Sequence, residues 1–110
     1  MLRVGAVQAE ATPGEVARNV AAAAQWIGQA AEQGIDLVVF PEAFTTGYDE
    51  RTFAQLHRAG SLPSEDLGWA APIQAAVDAA GMVAVVNSPL DHGSHRSLSS
   101  VVLRAGHAPV

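Results

Sequence analysis

The sequence predicts an α/β fold, and three observations carry that expectation. A short apolar run at residues 3–8, a long amphipathic segment and a second apolar run at 36–40 follow one another, the pattern of a βαβ unit. A further helical segment at 64–80 leads into a third apolar run at 82–87. Single breakers, Gly34, Pro41 and Gly81, stand where one pattern gives way to the next.

The first strand is expected over residues 3–8, with Val4 and Val7 as its apolar positions. The helix after it carries start signals: Thr12 as N-cap, Pro13 at the first helical position and Glu15 completing a Thr-x-x-Glu capping box. Gly34 supplies the stop. Between them Val16, Val20, Ala23, Ile27 and Ala30 recur at helical spacing, while Arg18, Gln25, Gln29 and Glu32 fall mostly elsewhere, so one apolar face must be covered. The run Asp36-Leu37-Val38-Val39-Phe40, stopped by Pro41, has the pattern of a strand buried on both faces, parallel to the first. A polar and aromatic loop over 41–49 leads to a weaker helix at 50–59. The helix at 64–80 takes Ser64 as its cap and Gly81 as its stop. Strands follow at 82–87 and 98–104, and the turn Asp91-His92-Gly93-Ser94-His95 between them predicts an antiparallel pair.

With 110 residues and 49% hydrophobic content, the chain has the size of one ordinary domain, 1–110, able to bury a core. Charged residues make up 15% and the net charge is -5, which leaves no basic field for nucleic acid or an anionic membrane. All six basic residues are arginine. The chain has no lysine and no cysteine, so disulfides, thiolate metal sites and a thiol nucleophile are excluded within it. The opening apolar run is too short for a signal peptide, and no run approaches the roughly 20 residues of a membrane span. A soluble cytoplasmic protein is expected.

In α/β sheets, functional loops gather at the carboxyl ends of strands. Phe40-Pro41-Glu42-Ala43-Phe44-Thr45-Thr46-Gly47-Tyr48 is such a loop, with Glu42 at the strand mouth and Phe40 and Phe44 flanking it as apolar surface able to exclude water. Position alone leaves two readings of Glu42 open: a general base, or one of eleven acids solvating a loop. Phe44 and Tyr48 are candidate substrate contacts, against a plain role in core or rim. His92 and His95 stand near Asp91, but flanking Gly93 and Ser94 point to an exposed turn and no fourth ligand is present, so no metal is assigned. No serine, Ser88 included, has a recognisable histidine partner in the sequence. No cofactor is expected.

The string Asp36-Leu-Val-Val-Phe-Pro-Glu42, followed by Thr46-Gly47-Tyr48, resembles the first signature of the nitrilase or carbon-nitrogen hydrolase superfamily. The strand at Val4 to Gln8, the helix carrying Asn19 and the strands near Val83 and Val101 fall in that family's order, so the resemblance covers nearly the whole chain. It implies the amino-terminal part of a four-layer α-β-β-α sandwich, often dimeric, with a glutamate, a lysine and a cysteine in its site. There the cysteine attacks an amide, carbamoyl or nitrile carbon, the glutamate is the general base and the lysine stabilises the anionic intermediate. Glu42 matches the glutamate. Lysine and cysteine are not among these residues, which implies an incomplete domain that is inactive alone. Two departures stand out: Ser99 where many members carry asparagine, and Asn87 where glycine is frequent.

The leading expectation is therefore a carbon-nitrogen hydrolase of the amidase, carbamoyl hydrolase or nitrilase type, homo-oligomeric and acting on small molecules. The alternative is a non-catalytic remnant or interaction module that pairs with a related intact subunit. A nucleotide-binding α/β domain fits less well, because no Gly-x-Gly-x-x-Gly follows the first strand.

Overall fold

A computed structural model describes all 110 residues. In chain order the elements are β1 (Val4–Ala6), α1 (Val16–Glu32), β2 (Leu37–Val39), α2 (Glu50–Arg58), a 3-10 turn (Gly68–Ala70), α3 (Ala71–Ala80), β3 (Val83–Asp91) and β4 (Arg96–Arg104). They form one sheet of order β1-β2-β3-β4. The first three strands are parallel and β4 returns antiparallel to β3, as the sequence predicts.

Helix α1 ends as its sequence dictates. Gly34, at φ +74°, turns the chain back so that its N–H reaches Ala31 O at 3.0 Å and the Ile35 N–H reaches Ala30 O at 3.1 Å. This is the Schellman closure that glycine accepts without steric cost. The start differs from expectation. Gly14 stands at φ +75°, outside helical space, so the helix begins at Val16 with Glu15 as a cap residue whose side chain makes no capping hydrogen bond. The Thr12 box therefore does not form. Helix α3 also starts later than expected: Ser64 bridges to Asp91 at the end of β3, and Leu67 takes a left-handed φ of +63°, so helix follows only after the 3-10 turn. Strand β3 runs on past its expected end through Pro89, which lies where β2 has finished and only β4 pairs with it.

The core lies between the helices and one face of the sheet. Val20, Ala23 and Ile27 of α1 and Ile73 and Val77 of α3 pack over Val38, Ala84, Val86, Val101 and Leu103. The expectation that β2 is covered on both faces is not met, because both long helices lie on the same side. Val39 is 38% exposed and Val4 60%, and register puts them on one face with Leu37, Val83, Val85 and Val102. The outer edge of β4 is partly paired by the chain's own last residue, Val110 exchanging two backbone bonds with Val102. No helix is long and apolar enough to cross a membrane.

Candidate active site

Glu42 lies just past the carboxyl end of β2, in a loop tied down along its whole length. The Phe40 N–H donates to Val85 O at 3.0 Å, extending the parallel pairing beyond the strand proper. Beside Glu42, the N–H of Ala43 donates to the Asn87 side-chain Oδ1 at 2.8 Å and that of Phe44 to the Asn87 carbonyl at 3.0 Å. Ala43 is fully buried at φ +53°, a conformation that costs an L-residue about 1–2 kcal/mol. Its own carbonyl accepts from Thr46 and Gly47, closing the turn.

Two further polar contacts hold this loop from behind. Buried Asn19 accepts from the Thr12 N–H at 2.7 Å and donates to the carbonyls of Thr12 and Thr45 at 2.8 and 2.9 Å. Ser88 gives its hydroxyl proton to Pro89 O, so the 2.6 Å contact with Thr45 requires the threonine hydroxyl to donate. Asn19, Asn87 and Ser88 thus position the glutamate loop, a role the sequence reading did not assign them. The available signal was polarity out of place: Asn19 on an apolar helix face, and Asn87 and Ser88 inside a strand.

Glu42, Phe44 and Tyr48 come together in one cleft of about 370 Å³, which Glu10, Pro13 and Asp49 also line. The Glu42 side chain is exposed and joins neither ion pair of the molecule. The phenylalanines do not shield it as expected. Phe40 and Phe44 lie inward, 4% and 2% exposed, with ring centroids 5.2 Å apart: Phe40 continues the strand alternation that buries Val38, and the turn at Ala43 brings Phe44 back beside it. Phe44 forms the cleft floor rather than a wall. Tyr48 is exposed at the rim, edge-on to Phe53 at 5.9 Å, where it also borders a larger cleft beside the β3–β4 hairpin. Glu10, unassigned from sequence, is a second carboxylate at the Glu42 cleft. A third, Asp49, caps α2. The Thr52 hydroxyl and the Arg51 N–H, both donating to it, hold its carboxyl below the ordinary carboxylate range.

The histidine turn lies apart from Glu42. His92 and His95 stack at 4.6 Å, but His92 is not a free loop residue: its Nδ1 is 2.7 Å from Glu65 Oε2 and its Nε2 is 2.7 Å from Ser97 Oγ. The expectation that no serine has a histidine partner is overturned here, since the hairpin brings together residues five positions apart.

A carbon-nitrogen hydrolase family model matches residues 3–107. No curated protein gives a significant sequence match. Solved structures with a similar fold include an amidase from Nesterenkonia sp., at 20% identity and TM-score 0.74 over 98% of this chain. Another is a cysteine-to-alanine mutant of the Nesterenkonia sp. AN1 amidase in complex with butyramide, at 19% identity and TM-score 0.80 over 99% of this chain. A third, a glutamate-to-leucine mutant of that amidase, shows covalent addition of the acetamide moiety of fluoroacetamide at its active site cysteine, at 18% identity, TM-score 0.80 and 99% coverage of this chain. This chain spans 41%, 41% and 40% of the length of those three structures, respectively.

Proposed function

The chain belongs to the carbon-nitrogen hydrolase family, and from that premise we propose that it supplies the general base and part of the substrate cleft of an amide-cleaving enzyme. Glu42 is the base. The observation that carries this reading is its placement: a carboxylate at the mouth of a parallel strand, on a turn whose left-handed residue is fastened to β3 through Asn87, facing a cleft. A carboxylate there takes a proton from an attacking nucleophile and later from water, as a general base must. Tyr48 and Phe44 provide the rim and floor for a small acyl group. The thiol nucleophile and the lysine that stabilises the oxyanion are supplied from outside these 110 residues, by the same polypeptide or by a second one. Amide substrates are favoured over nitriles by the amidases among the structural relatives.

The fold fits that division of labour. Valines and leucines on the open sheet face need a cover, and a second sheet packed there completes the four-layer sandwich, leaving this chain as one incomplete domain. The same open face also supports a second reading, a non-catalytic subunit that pairs with an intact relative.

The test is Glu42→Gln in the complete enzyme, which keeps the shape and removes the proton acceptor. Turnover of a small aliphatic amide should fall ~100- to 10,000-fold, with Glu50→Gln, on the first turn of α2, unchanged. Glu10 is unsuitable as a control because it borders the same cleft. Near-normal turnover by a folded Glu42→Gln enzyme overturns the assignment.

A further inference from the structure

With His92 neutral, the contacts around the β3–β4 hairpin form a chain of hydrogen bonds with one direction. A carboxylate only accepts, so at the 2.7 Å contact between Glu65 Oε2 and His92 Nδ1 the proton sits on Nδ1. In neutral imidazole Nε2 is then an acceptor, and the 2.7 Å contact with Ser97 Oγ requires the serine to donate. Ser97 has spent its one proton, so Ser99, 2.7 Å away, donates to it. Carboxylate, imidazole and hydroxyl thus stand in the order and geometry of a nucleophile, its base and the group that orients the base.

The arrangement is held from several sides. Residues 63–65 are fastened to the end of β3: Asp91 N–H donates to Pro63 O at 2.8 Å, Glu65 N–H donates to Asp91 O at 3.2 Å, and Ser64 bridges to Asp91. That fastening aims Glu65 at His92. The His92 ring is further fixed by its stack on His95, the two planes 7° apart, and its side chain is only 21% exposed. Ser97 faces a cleft of about 690 Å³ whose apolar lining includes Phe53, Leu62, Pro89 and Leu98. Arg96 lines the same cleft and joins neither ion pair.

We propose that Ser97, His92 and Glu65 form a second, serine-based acyl-transfer site, separate from Glu42, that acts on esters of small apolar carboxylic acids. Ser97 Oγ attacks the ester carbonyl carbon and its proton passes to His92 Nε2. The tetrahedral adduct collapses, the carbon–oxygen bond to the alcohol breaks, and the departing oxygen takes that proton. Water then attacks the acyl-serine, giving a proton to Nε2, and the carboxylic acid leaves as Ser97 regains its hydrogen. The cleft's apolar wall takes the acyl group. Glu65 is a positioning residue that selects the productive tautomer. Esters rather than amides suit this site, because an alkoxide leaves more readily than an amine anion.

The probe is an alkyl fluorophosphonate: Ser97 Oγ bonds to phosphorus, fluoride leaves, and the serine proton departs through His92 to solvent. Peptide mass mapping of the unmodified sequence should place one phosphonyl group on Ser97. His92→Ala should slow labelling ~100-fold or more. Glu65→Gln should slow it about tenfold or more, because an amide donating to Nδ1 moves the proton to Nε2, whereas Glu65→Asp should restore much of the rate, which a purely structural role would not require. Ser61→Ala, in an exposed loop, should label at the original rate. Absence of label, label on another serine, or an unchanged rate in a folded His92→Ala variant overturns the proposal. Because neither probe nor readout involves Glu42, failure here leaves the amidase reading untouched.

Discussion

The side-chain Oδ1 of Asn87, on β3, accepts the backbone N–H of Ala43 at 2.8 Å, and this one bond spans 44 residues to hold a left-handed alanine next to Glu42. A turn of this kind is ordinarily left to glycine. Here the strand beside it supplies the compensation, since the Asn87 carbonyl also takes the Phe44 N–H at 3.0 Å. Removing the Asn87 side chain strands the Ala43 donor in a place of almost no solvent access, which costs about 1–3 kcal/mol. Asn87→Ala should therefore lower unfolding stability by that amount in a denaturant titration. Ala43→Gly relieves about 1–2 kcal/mol of backbone strain but gives up a buried methyl of about 0.8 kcal/mol and some chain entropy. It should be close to neutral. Equal losses from both substitutions would mean that the bond does not hold the turn.

Asp49 offers a pH-dependent handle on the same cleft. Its folded-state pKa lies below the unfolded value because the Thr52 hydroxyl and the Arg51 N–H bind the charged form. A depressed carboxylate contributes stability that is full above the unfolded value and lost as pH falls through the folded one. The first turn of α2 should loosen over that acidic window, seen as lower amide-exchange protection, relative to the intrinsic rate at each pH, at Arg51 and Phe53. Asp49→Asn keeps a capping side chain without a charge and should remove this pH dependence. An identical acid profile in the variant would assign the loosening to other groups.

The elements that were legible in the sequence are those specified by short-range rules. Gly34 and Gly81 end their helices where a left-handed glycine must, and the apolar spacing from Val20 to Ile27 faces the core. The misread starts share a cause. Thr12 and Ser64 are good caps in isolation, but Gly14 is drawn to the Thr46 carbonyl and held at a left-handed φ, and Ser64 is drawn to β3, both contacts between residues distant in sequence. The place of Glu42 in the fold, though not its role, was legible because a strand end followed by proline fixes where the next residue stands. The inward placing of Phe44 was not, because it depends on φ at Ala43, which no local pattern signals. Nor was the His92 network, because Glu65 reaches His92 from 27 residues away.

The uncovered sheet face sets the chain's behaviour in solution. Val4, Val39, Val85 and Val102 lie on a face with no helix over it, and burying such surface yields roughly 25 cal/mol per Å². The isolated chain should therefore form dimers or larger species at micromolar concentration. Val4→Lys with Val39→Lys places charge on this face without touching the packed side, so sedimentation should shift toward monomer while the far-ultraviolet dichroism is kept. A clean monomer from the unmodified sequence would show that the face needs no partner.

The isolated chain should hydrolyse no amide, carbamoyl or nitrile substrate above background, although it carries Glu42 at the mouth of β2. A general base accelerates attack by a nucleophile that is present, and these 110 residues contain no thiol to activate and no lysine to meet the oxyanion. Arginine is a poor substitute for a compact ammonium. Ser97 does not fill the gap, because an amine leaves far less readily than an alcohol and nothing in the sheet brings that hairpin serine to the Glu42 cleft. Incubation with butyramide or acrylamide should leave the intact mass unchanged, whereas the fluorophosphonate should add one group. A stable acyl adduct from an amide, on any residue, would mean that the chain holds a competent amide-cleaving site of its own and that the division of the site between two segments is wrong.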